Sequence, residues 1–172
     1  MKKSLLIVDG YNMIGAWPDL VQLKNKDLMK DAREQLLQAL SNYAKYEKLP
    51  IIVVFDAQFV PGITKSYAKY QLEVVFTEEG ETADSYIERI AGKLNDIMTQ
   101  VSVATSDLAE QWVIFSQGAL RISARELYKT VKKTEEAIKR HQESIKYMNY
   151  RRNSPWDEEQ LKKLEEKLKE LS

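Results

Sequence analysis

The sequence predicts an α/β fold in which helices cover both faces of a central, mainly parallel sheet, with a helical extension at the C-terminus. Three observations predict it. Short apolar runs at residues 5–8, 51–55, 72–76 and 101–105 alternate with longer stretches of helical periodicity. The runs are continuous rather than alternately polar, as expected of strands buried on both faces. Beyond residue 123 such runs stop, and charged residues set the pattern.

The elements follow in order. Residues 5–8 read as a strand closed by the sequence Asp9-Gly10-Tyr11-Asn12, taken as a sharply turning loop. Leu28, Ala32, Leu36, Leu37, Leu40, Tyr43 and Ala44 recur at helical spacing over residues 27–47, and Pro50 ends that helix. Residues 51–55 form a second strand ending at Asp56; a loop with Lys65, Tyr67, Lys69 and Tyr70 leads to a third strand at 72–76. Thr82 suits the N-cap of a helix running to Met98, with Ile87, Ile90, Leu94 and Ile97 facing inward. After the fourth strand, Asp107 and Glu110 form a capping-box pattern for a helix that places Trp112 in the core and ends at Gly118. Residues 119–122 offer a fifth strand. Ser123 and Glu126 then open a long charged helix to about Met148, and residues 153–155 break it before a final helix from Trp156. The expected division is a core domain at residues 1–130 and an extension at 131–172.

The chain has 172 residues, 44% of them hydrophobic and 30% charged, a composition that fits an ordinary globular domain. No cysteine is present, which excludes disulfides, zinc–thiolate sites and thiol nucleophiles, and the single histidine, His141, excludes a histidine-rich metal centre. The apolar run before Asp9, residues 5–8, is too short for a signal-peptide core or a membrane span, so a cytoplasmic protein is expected. Basic and acidic residues balance at 26 each, yet residues 121–152 carry ten basic against four acidic side chains. A basic arm on an otherwise acidic chain fits a nucleic-acid partner.

Ligands of open parallel α/β sheets bind beyond the carboxyl ends of the strands. Asp9, Asp56 and Asp107 fall just after the first, second and fourth strands, and Asp84 falls in the first turn of a helix that can point to the same rim. Aspartate is also a common helix cap and turn former, so each position alone has a purely structural explanation. Four carboxylates at one edge repel one another unless a cation neutralises them, and hard oxygen donors suit Mg²⁺ or Mn²⁺. Such an ion can activate water and stabilise charge on a phosphodiester.

Four ordered motifs give these acids a context: Ile7-Val8-Asp9-Gly10-Tyr11-Asn12, Val53-Val54-Phe55-Asp56, Glu81-Thr82-Ala83-Asp84 and Ala104-Thr105-Ser106-Asp107. With Glu110-Gln111-Trp112, Gly118-Ala119-Leu120-Arg121 and Ser123-Ala124-Arg125-Glu126-Leu127, the chain over residues 4–130 resembles the YacP-like branch of the NYN domains, relatives of the PIN-domain nucleases. The resemblance implies a three-layer α/β/α PIN-like fold. It also implies a metal-dependent endoribonuclease that leaves 5′-phosphate and 3′-hydroxyl ends and uses Mg²⁺ or Mn²⁺. Asp9, Asp84 and Asp107 would be the catalytic and metal-binding acids and Asp56 a further ligand, reached through water. Asn12 would orient Asp9 or contact the scissile phosphate, and Thr105 and Ser106 would shape the rim. A link to translation makes mRNA, with the ribosome, the implied partner.

Lys65, Lys69, Arg121, Arg125, Lys129, Lys132 and Lys133 are the candidate RNA contacts, since cations track a phosphate backbone. Interleaved Glu126, Glu135 and Glu136 give the helical ones an alternative as a solvated, ion-paired face. Tyr147 and Tyr150 beside Arg151 and Arg152 could stack on bases or pack against the final helix. A phosphoacceptor receiver domain would need adjacent acids after the first strand and a lysine at the fifth, and both are missing. The rival from another class is a non-catalytic RNA- or ribosome-binding module.

Overall fold

The structure, a computed structural model, describes residues 2–57, 70, 72–107, 112, 114, 116, 118–153 and 158–171. Five strands form one sheet: β1 (Lys3–Asp9), β2 (Ile51–Phe55), β3 (Glu73–Phe76), β4 (Thr99–Ala104) and β5 (Leu120–Ile122). Their spatial order is β3-β2-β1-β4-β5, and each neighbouring pair is parallel. The chain moves outward from β1 to β3 on one side and from β4 to β5 on the other. The order therefore reverses between β1 and β4, which is where open α/β sheets hold their ligands.

Alternation along each strand sends side chains to two separate cores. Leu6, Val8, Val53, Phe55 and Ala104 pack on one face with side chains of α1 (Gly10–Ala16), α2 (Pro18–Asn25), α3 (Met29–Glu47) and the start of α5 (Ala124–Asn153). Ile7, Val54, Val101 and Val103 pack on the other with Ala83, Ile87, Ile90 and Ala91 of α4 (Ala83–Leu94), and with Ile114. The expected three layers are thus present, helix on sheet on helix. The last helix is α6 (Glu158–Glu170). Residues 1–135 form one compact unit and 136–172 a second, the boundary falling within α5. Among the described residues no helix is long and apolar enough to cross a membrane.

Three expectations are corrected. The turn expected at Asp9-Gly10-Tyr11-Asn12 is the start of a helix: Asp9 caps α1 directly, and α2 follows with Pro18 in its first turn, where its missing N–H costs nothing. The apolar spacing of Met13, Ile14, Trp17 and Leu20 is helical, and all four are buried. The helix begun by Thr82 ends at Leu94, not Met98. Asn95 Oδ1 accepts from the Val101 N–H at 3.0 Å, and Asp96 Oδ1 accepts from the Met98 and Thr99 N–H groups at 2.8 Å each. These side chains offer the backbone a turn in place of another helical turn, leaving Ile97 87% exposed. Trp112 is helical but 74% exposed, whereas Ile114 is buried in the core.

Candidate active site

The acidic edge is built by helix starts and strand ends. Asp9 is the last residue of β1 and the N-cap of α1, its Oδ1 accepting from the Asn12 N–H at 3.4 Å. Gly10 follows because no side chain fits: a Cβ there would stand 2.2 Å from Cε1 of Phe55. Asp56 follows β2 directly. Its surroundings are fixed by Thr77, which donates its N–H to the Phe55 carbonyl at 3.0 Å and accepts from the Ala57 N–H at 3.1 Å. Asp84 lies in the first turn of α4, which Thr82 caps by accepting from the Ser85 N–H at 3.1 Å. Asp107 lies beyond β4, its N–H donated to the buried Thr105 hydroxyl at 3.2 Å.

Asn12 ties the two sides of the sheet reversal together. Its Oδ1 accepts from the Ser106 N–H at 2.7 Å, and the Ser106 hydroxyl accepts from the Ala124 N–H at 3.1 Å. The start of α1, the end of β4 and the start of α5 are thereby laced at one rim. With Oδ1 engaged, the Nδ2 amide of Asn12 is the part that can donate to a ligand.

Asp9 feels the charges of the other three acids. Asp9 is 7% exposed, and burial in the protein pushes its pKa up to about 7. The negative charges of Asp84, Asp107 and Asp56 add to the rise, while the Asn12 N–H opposes it. Each of the other three is half-buried. A strained carboxylate among like charges is what a hard cation relieves, so the donor chemistry fits Mg²⁺ or Mn²⁺. Among the described residues, however, no three acids close into a ready-made cage. The repulsion reports proximity along the rim, and it extends farther than a coordination shell.

The comparisons with known proteins agree with this architecture. The family model of the YacP-like NYN domain matches residues 6–169. The chain belongs to this family. The NYN match runs well past residue 130, where the sequence resemblance had ended, and takes in most of the helical extension. A curated relative described as uncharacterized protein YacP, from Bacillus subtilis (strain 168), is 51% identical over 142 residues, which is 83% of each chain. The crystal structure of Rae1 (YacP) from Bacillus subtilis superposes with a TM-score of 0.77 at 47% identity, covering 96% of this chain and 94% of that one. A point mutant of the same protein gives 0.73 at 48% identity, covering 83% and 82%. Membership of the NYN family points to a PIN-like nuclease fold and an RNA-related function.

The predicted basic contacts are dispersed. Arg125, Lys129 and Lys133 are exposed on α5 at a spacing that places them along one face, and Arg121 is exposed on β5. Lys132 is engaged within the fold. Its ammonium lies 3.1 Å from Asp19 and 3.3 Å from Glu135, and 5.4 Å from the centre of the Tyr128 ring. Lys65 and Lys69 lie outside the described residues, as does Glu110. Sequence reasoning missed Thr77. Its signal was available: it follows β3 as Asp56 follows β2, and Phe55 and Phe76 are register partners.

Proposed function

We propose that the chain is a metal-dependent endoribonuclease that hydrolyses RNA phosphodiester bonds, leaving 5′-phosphate and 3′-hydroxyl ends. The observation that carries the reading is the placement of Asp9, Asp56 and Asp107 after the carboxyl ends of β1, β2 and β4, with burial and the charges of Asp84, Asp107 and Asp56 pushing the pKa of Asp9 up to about 7. Family membership supports it.

Asp9, Asp84 and Asp107 would hold Mg²⁺ or Mn²⁺, with Asp56 joining through water; a shell completed by water is the habit of Mg²⁺ and does not need a closed protein cage. When bound, the ion supplies an activated water and neutralises charge on the phosphate. The chain's own groups do the positioning. Asn12 presents its Nδ2 amide to a phosphate oxygen while its Oδ1 fixes Ser106, and Thr105 holds the backbone that carries Asp107. Arg121, Arg125, Lys129 and Lys133 offer cations to the flanking strand, with Lys65 and Lys69 as further contacts. The substrate is mRNA, including mRNA engaged by the ribosome, in the cytoplasm.

The absence of a three-acid cage among the described residues favours a second reading, an RNA- or ribosome-binding module without turnover. Cleavage mapping separates the two. Naked and ribosome-bound RNA are incubated with the parent and with Asp84→Asn, with Mn²⁺, Mg²⁺ or chelator. Cleavage by the parent alone, only with metal, supports the nuclease. Folded parent that binds both RNAs and cuts neither would establish the binding module.

A further inference from the structure

Arg33 lies in the second turn of α3 and is only 4% exposed, an unusual place for a guanidinium. Among the described residues its one hydrogen bond is from Nη1 to the Tyr11 hydroxyl at 3.4 Å, at the long limit for such a contact. Nε is buried with no hydrogen-bond partner, and among the described residues no carboxylate reaches Arg33. A buried cation normally has its counter-charge beside it, because the cost of removing it from water is otherwise uncompensated.

Topology places this cation at the acidic edge. α3 descends to the start of β2, so its first turns lie at the opposite, carboxyl end of the sheet. Tyr11, two residues after Asp9, packs its ring on Phe55 at 5.0 Å between centroids, and Phe55 directly precedes Asp56. One half-buried aromatic ring thus separates Arg33 from the rim.

We propose that Arg33 and Tyr11 form a phosphodiester-binding subsite on the β2 side of the aspartates. This rests on the nuclease reading and deepens it: the missing counter-charge of Arg33 is a backbone phosphate of bound RNA, next to the one presented to the aspartates. A guanidinium offers a phosphate two N–H groups in fork geometry, which a lysine does not reproduce. The Tyr11 hydroxyl, 3.4 Å from Nη1, stands beside the guanidinium within reach of the same phosphate. An edge made only of carboxylates repels RNA, and a fixed cation behind it supplies part of the attraction.

The test measures binding in an Asp84→Asn background, so that cleavage does not interfere. A labelled short single-stranded RNA is titrated by anisotropy between about 50 and 200 mM salt. Adding Arg33→Met is expected to weaken binding about tenfold and to reduce the slope of log affinity against log salt by about 0.7, the loss of one phosphate contact. Its thermal midpoint without RNA is expected to hold or rise, because a buried cation without a counter-charge has been removed. Arg33→Lys keeps the slope but loses affinity several-fold. Tyr11→Phe keeps the ring on Phe55 and weakens binding about threefold or more. An unaltered slope in Arg33→Met, or unaltered affinity in Tyr11→Phe, overturns the subsite. Should Asp84→Asn protein bind no RNA even at low salt, the nuclease reading falls and the subsite with it; binding with an unaltered slope removes the subsite alone.

Discussion

Replacing Asp9 with asparagine is expected to stabilise the protein, and by an amount that grows with pH. The unfolded carboxyl ionises near its ordinary 3.8, whereas in the folded chain it holds its proton to about 7. Below 3.8 both states are protonated and the group contributes nothing. Between the two values the unfolded state has lost its proton and the folded state has not, so stability falls as pH rises, and above about 7 the full penalty is present. The gap corresponds, at about 1.36 kcal/mol per pH unit, to a ceiling of about 4 kcal/mol at pH 8 and about 1 kcal/mol at pH 4.5. Asparagine carries no charge and caps a helix as well as aspartate, so it keeps the contact with the Asn12 N–H while removing the penalty. In chelator at pH 8 the gain is expected at about 2–4 kcal/mol, a rise in midpoint on the order of 10 °C for a chain of this size. Thermal and urea denaturation of both proteins at pH 4.5 and pH 8 measure it. An asparagine variant less stable than the parent at pH 8, or equally stabilised at both pH values, would refute the claim that Asp9 is held under electrostatic strain. Stability given up at one residue is the pattern of a site shaped for a ligand.

Other perturbations read the rest of the site. Gly10→Ala forces a Cβ against the Phe55 ring and is expected to cost about 1–3 kcal/mol by urea denaturation, with a loss below half of that counting against the close approach. Asn12→Ala removes the acceptor for the Ser106 N–H, costing about 1 kcal/mol and most of the RNA cleavage; retained cleavage would detach the rim from function. Lys132→Ala is expected to leave the salt dependence of RNA binding unchanged, because its ammonium is committed to Asp19 and Glu135, whereas Lys129→Ala lowers that slope by about 0.7. Trp112→Ala is expected to change stability by about 0.5 kcal/mol or less, against the 3–5 kcal/mol of a core tryptophan.

The sheet was legible because β1 and β2 carry no polar residue inside their core runs. Ile7, Val53, Val54 and Val103 are buried from both sides, and that double burial is what writes a continuous apolar run. The helices were legible where they are long. α1 and α2 were not, since seven and eight residues span barely two turns and Gly10 with Asn12 imitates a turn. Trp112 was misplaced because helical period alone does not say which face meets the sheet. For the site, strand ends marked the positions of Asp9, Asp56 and Asp107, and a cap pattern marked Asp84. The contacts that lock them were out of reach. Asn12 and Ser106 are 94 residues apart. Likewise Arg33, on a helix that reads as core, reveals its missing counter-charge only when its neighbours are in place.

The central claim is that the aspartate rim cuts RNA, and cleavage mapping of the parent against Asp84→Asn with and without Mn²⁺ tests it most directly. The account predicts discrete internal cuts with 5′-phosphate ends, dependent on the metal, and none from Asp84→Asn protein that still folds and binds RNA. Equal cleavage by both proteins, or none by a parent that binds naked and ribosome-bound RNA, would contradict it.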